Sequence, residues 1–68
     1  MSASMALERR SREIVSRLER EGWTAVGAEG SHHKFKREGE RHHIVVPHPK
    51  KDIPKPLARR IAKQAGWT

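Results

Sequence analysis

All four prolines of this chain stand at positions 47, 49, 54 and 56. Proline cannot donate to a strand ladder, and inside a helix it removes a hydrogen bond and clashes with the preceding turn. The segment 47–54, PHPKKDIP, therefore reads as an ordered, extended connector that braces the helix after it. Any sheet must lie before it. A helix can begin just beyond it, because Pro56 suits a first helical turn. Leu57, Ala58, Ile61, Ala62 and Ala65 then make one apolar stripe, and Gly66 marks its stop.

The segment before the connector carries two kinds of period. Leu7, Ile14, Val15 and Leu18 recur at helical spacing, and Glu8 to Arg12 and Glu13 to Arg17 have the favourable i,i+4 order. This first helix starts with Ser4 or Ser11 as its cap and ends at Glu21, with Gly22 in the left-handed position and Trp23 packing back. Residues 24–28, 32–38 and 41–46 read as three short strands, separated by Glu29-Gly30-Ser31 and by a hairpin turn at Gly39. With Gly39 and Glu40 at the centre of that turn, Phe35 faces Ile44 and His33 faces Val46. The order is α-β-β-β-α. The economical packing is an α+β fold: a three-stranded antiparallel sheet with two helices on one face and the other face open to solvent. Residues 1–10 are an N-terminal extension, and 11–68 form the domain.

Fifteen Lys and Arg stand against eight Asp and Glu, and +7 on 68 residues attracts polyanions. Nucleic acid or an acidic protein is the partner to expect. A chain this short has a thin core that cannot enclose a large cofactor. With no Cys there is neither a disulfide nor a thiolate zinc site, which suits a reducing cytoplasm, and no apolar run approaches a membrane span.

All five histidines fall between His32 and His48. On a strand, neighbours point to opposite faces, so His32, Lys34, Lys36 and His43 are expected on the open side, and His33 with Phe35 on the packed side. An imidazole beside ammonium groups has the parts for metal-free RNA cleavage. A neutral ring can take the proton of a ribose 2′-hydroxyl, and Lys can stabilise charge on the phosphoryl oxygens. Plainer readings compete: strand histidines are commonly surface or packing groups, and Lys50 and Lys51, like the Arg-rich helices, commonly form solvated faces. A zinc site from His32, His43 and His48 is conceivable, but it matches no familiar ligand spacing. His48 is expected only to border the site.

The ordered residues Gly22-Trp23, Gly30-Ser31-His32-His33-Lys34-Phe35-Lys36, Ile44-Val45-Val46-Pro47-His48-Pro49-Lys50-Lys51-Asp52-Ile53-Pro54 and Gln64-Ala65-Gly66 closely resemble the HicA-type, or YcfA-like, toxins over about residues 11 to 67. The resemblance implies a fold like the double-stranded RNA-binding domain. It also implies a metal-independent mRNA interferase that arrests translation and growth and is neutralised by a HicB-like antitoxin. In that pattern the catalytic histidine follows Gly-Ser directly, which is His32. Members with one intervening residue would point to His33, and strand alternation favours His32 because it opposes the core residue Phe35. Gly30 and Ser31 would shape the backbone that presents it, and Lys34, Lys36, Lys50 and Lys51 would hold phosphates. No cofactor is implied. The toxin alone would be monomeric, with higher assembly through an antitoxin that is acidic at the contact. Two departures stand out: Pro54-Lys55-Pro56-Leu57 where relatives carry Pro-x-Gly-Thr, and a charged Arg37 to Arg41 turn where many carry a longer loop. Two rivals remain: an RNA-binding module of the same fold without catalysis, and a protein whose basic face serves mainly to hold an acidic partner.

Overall fold

The computed structural model describes residues 7–68. Its elements run α1 (Ser11–Arg20), β1 (Thr24–Glu29), β2 (His32–Lys36), β3 (Ile44–Pro47) and α2 (Lys55–Gln64). The strands form one antiparallel sheet in the order β1-β2-β3. Phe35, Ile44 and Val46 from the sheet join Ile14 and Leu18 of α1, Ala58 and Ile61 of α2, and Ala65 just after it, in a single core. Phe35 pairs with Ile44 and His33 with Val46, so both helices cover that face. The register is the expected one.

The hairpin that sets this register is not. Pairing between β2 and β3 ends at Phe35 and Ile44, leaving 37–43 as a loop, so Arg37, Glu38 and Arg41 to His43 lie outside the strands. The turn centres on Glu38 and Gly39, closed by the Glu40 N–H donating to the Arg37 carbonyl at 3.1 Å. Arg37 explains the early stop. Its guanidinium stacks 4.7 Å from the Trp23 ring and donates to the Glu21 carbonyl and the Glu40 carboxylate, which draws the loop toward the end of α1. The facing of β2 survives because burial of Phe35 specifies it: a one-residue slip would expose that ring and turn its charged neighbours into the core.

Both helices end alike. After α1, the Trp23 N–H reaches the Leu18 carbonyl and the Gly22 N–H that of Glu19; after α2, Trp67 reaches Ala62 and Gly66 reaches Lys63. Gly22 and Gly66 have φ of 93° and 81°, a conformation that L side chains resist, and each tryptophan then folds back on its helix. Arg17 stacks 4.3 Å from the Trp67 ring, and the Trp67 Nε1–H donates to Glu21 at 2.7 Å. Glu21 also receives Arg17, so one carboxylate links the ends of both helices.

The helix start departs from expectation. Ser11 is the first helical residue, and the N-cap, Arg10, makes no side-chain capping bond. Ser4 lies outside the described residues. Ser11 instead is buried and faces the connector: its Oγ accepts the Lys50 N–H at 2.7 Å and lies 2.9 Å from His48 Nδ1, and its N–H donates to the Lys50 carbonyl. Arg9 and Ile53 exchange hydrogen bonds, and Arg9 pairs with Asp52 at 3.0 Å. Four backbone groups of the connector, the N–H and carbonyl of Lys50 and of Ile53, find their partners at Arg9 and Ser11, while the Pro54 carbonyl accepts the Ala58 N–H of α2. The residue after Pro54 does open α2, with Pro56 in its first turn.

Ser11→Ala would strand the Lys50 N–H and one His48 nitrogen, at a cost of about 1–3 kcal/mol. Thermal unfolding should register this as a Tm lower by roughly 4–8 °C for each kcal/mol, whereas an unchanged Tm would show that the hydroxyl does not hold the connector. The Trp67 indole N–H first, and Arg17 and Arg37 after it, hold the Glu21 carboxyl below the ordinary carboxylate range. A depressed folded-state value stabilises above the unfolded value, and that contribution disappears as pH falls through the folded one. Acidification from about pH 6 to about pH 3 should thus cost the wild type more stability than Glu21→Gln, measured by urea unfolding at each pH.

Candidate functional site

Antiparallel partners share a face, so the pairings lay out the open side of the sheet residue by residue. Glu29 sits opposite His32 and His32 opposite Pro47; Gly27 sits opposite Lys34 and Lys34 opposite Val45; Thr24 sits opposite Lys36. A bulge at Val26 keeps β1 in phase on both sides of it. Strand pleating thus delivers His32, Lys34 and Lys36, all exposed, to one surface. The Gly30-Ser31 turn sets His32 at the very start of β2, and Gly30 takes φ 58° with open space around it, so its role lies in the backbone conformation.

His32 also borders a depression of about 230 Å³ that reaches round the outer edge of β3. His43 and Val45 stand on its sheet side with Pro47, and Leu57, Arg60 and Gln64 of α2 form its opposite wall. Arg60 reads in sequence as part of a solvated face. Its signal is present all the same: 57, 60 and 64 run as a stripe directly beside the buried stripe 58, 61 and 65, so they emerge where helix meets sheet. His43 is not carried by strand pairing but by the end of the 37–43 loop, and it still arrives on the side of His32.

His33 and His48 belong elsewhere. His33 is half-buried on the packed face, and its ring meets that of His48 edge to face, with centroids 5.2 Å apart. Ser11 Oγ accepts the Lys50 N–H and shares a second hydrogen bond of 2.9 Å with His48 Nδ1, which orients that ring. The His48 N–H donates to the Ser31 carbonyl at 2.6 Å, which fixes the turn presenting His32 from behind. Lys50 and Lys51 line a second, larger depression with Arg10 and Arg12 at the start of α1, and neither borders the one that holds His32. The six residues expected to hold RNA are therefore split between two surfaces.

Ion pairs among the described residues join Arg9 to Asp52, Arg10 to Glu8, Arg17 to Glu21 and Arg37 to Glu40. None of them uses Lys34, Lys36, Lys50, Lys51 or Arg60, so these cations keep their charge facing outward. The Arg10 guanidinium likewise holds the Glu8 carboxyl below its ordinary value. Among the described residues no three His, Asp or Glu side chains converge as metal ligands would. The His32, His43 and His48 trio is separated because His48 turns to Ser11 and His33 behind the sheet. Nor is any helix among these residues long and apolar enough to cross a membrane.

No curated protein matches the chain. The family model described as the HicA toxin of bacterial toxin-antitoxin systems matches residues 11–67. That span takes in both helices, all three strands, the Gly-Ser turn with His32, and the connector with its serine clamp. The chain belongs to the HicA toxin family.

Proposed function

We propose that this toxin acts as a metal-independent mRNA interferase with His32 as its general base. The observation that carries the reading is an exposed imidazole at the first position of β2, with Lys34 and Lys36 on the same open face. In this reading the neutral His32 takes the 2′-hydroxyl proton, the oxygen attacks the adjacent phosphorus, and the lysines hold the phosphoryl oxygens. Gly30 and Ser31 position the histidine, with the Ser31 carbonyl held by His48. Lys50 and Lys51, at the start of α1, grip the strand farther from the cut. His33 remains the fallback, although its half-buried ring against His48 suits packing better.

The net charge of +7 brings RNA to the surface with affinity that falls as salt rises. A HicB-like antitoxin, acidic at the contact, silences it by covering His32 and the basic face together, since steric and electrostatic denial act on the same area. Cleavage of mRNA in the cytoplasm arrests translation and growth when that partner is lost. The acting unit is residues 11–68, with 1–10 as an extension.

Purified wild type and His32→Ala should bind a test RNA with equal affinity, while cleavage by the variant falls by about 10²–10⁴-fold. Lys34→Ala or Lys36→Ala should weaken binding and flatten its dependence on log salt by about one unit each. Intact RNA after long incubation with wild type would make the protein a binding module of the same fold. Equal cleavage by His32→Ala would transfer the role to His33.

A further inference from the structure

A single base leaves the other half of the reaction unassigned, since the 5′-oxygen must leave with a proton. We infer that His43 supplies that proton and that Arg60 of α2 holds the scissile phosphate between the two histidines. The inference rests on the cleavage reading above and adds two residues to it. His32, His43 and Arg60 all border one depression of about 230 Å³. They reach it from three separate elements: the head of β2, the loop before β3 and the exposed side of α2.

Chemistry favours this arrangement. In-line displacement at phosphorus puts the attacking and leaving oxygens on opposite sides, so the acid and the base must flank the phosphate rather than share one side. β1 and β3 lie on opposite sides of β2, and His43 approaches from the β3 side. Glu29, the other titratable neighbour of His32, approaches from the β1 side and does not border the depression. Lys34 follows His32 by two residues on the same face and adds positive charge, as Arg60 does from α2. A guanidinium presents a planar fork of donors to phosphate oxygens and stays protonated throughout, so Arg60 can bind the phosphate without titrating. Val45 and Leu57 add apolar surface to the same depression, suited to a sugar or base.

The step balances as follows. Neutral His32 takes the 2′-hydroxyl proton as the O2′–P bond forms. The P–O5′ bond breaks, its electron pair leaves on O5′, and that oxygen takes a proton from protonated His43. The products are a 2′,3′-cyclic phosphate and a 5′-hydroxyl. Proton exchange with water restores both rings.

An oligoribonucleotide cleaved by wild type, remade with sulfur in place of the bridging 5′-oxygen at its mapped cleavage site, separates the roles, because a thiolate leaves without an acid. His43→Gln should lose about 10²–10⁴-fold on the oxygen substrate and return to within about tenfold of wild type on the sulfur substrate. His32→Gln should be slow on both. Arg60→Ala should lose at least about tenfold on both, with Arg60→Lys recovering part of the loss, since both substrates carry the same non-bridging oxygens. If His43→Gln loses nothing, or loses equally on both, His43 is not the acid. If Arg60→Ala cleaves like wild type, Arg60 does not hold the phosphate. RNA left intact by wild type overturns the cleavage reading itself, and this inference with it.

Discussion

Burial of Phe35 in the core between the sheet and the two helices fixes the sense of every other side chain on β2. Strand pleating has a period of two, so once Phe35 points inward, His33 follows it, and His32, Lys34 and Lys36 must point out. The core that enforces this is small. Ile14, Leu18, Trp23, Ile44, Val46, Ile53 and Ile61 are almost wholly buried in one cluster with Phe35. An open sheet face is thus a consequence of packing: a chain with only enough apolar surface for one face leaves the other to solvent.

Polar contacts complete what so thin a core leaves loose. Ser11 satisfies a backbone group of the connector and orients His48, which in turn holds the Ser31 carbonyl of the turn before His32. Glu21 ties Trp67 and Arg17 together, and Arg37 fastens the β2–β3 loop to the end of α1 over Trp23. Two of the five histidines, His33 and His48, thus make their contacts behind the sheet. The cluster seen in sequence is dispersed by the fold: His33 and His48 meet behind the sheet, while His32 and His43 border one depression at its open side.

Which face each residue takes is legible because Phe35, Ile44 and Val46 fall on one side at strand period. The pairing of Phe35 with Ile44 is the expected one, although the turn centres on Glu38 and Gly39 rather than on Gly39 and Glu40. The turn itself depends on Arg37 reaching Trp23 and Glu21, contacts between residues far apart in the chain that no local pattern announces. Ser11 shows the same limit. A serine before an apolar stripe signals a helix cap, yet its hydroxyl goes to the connector because the tertiary fold leaves the Lys50 N–H needing a partner.

The sequence by itself determined the element order, the two Gly-Trp helix ends, the family pattern and the face on which His32 stands. The family pattern rests on matched residues, and the others on a local period or on the conformational limits of glycine and proline. Only the tertiary structure decided which charges share the surroundings of His32. Arg60 arrives there because α2 packs along β3 with its 58-61-65 stripe buried and its 57-60-64 stripe at the boundary, while Lys50 and Lys51 are carried to the start of α1. Spacing along a chain sets direction within an element. Distance between elements is set by how their apolar faces fit, and that fit is a property of the whole core.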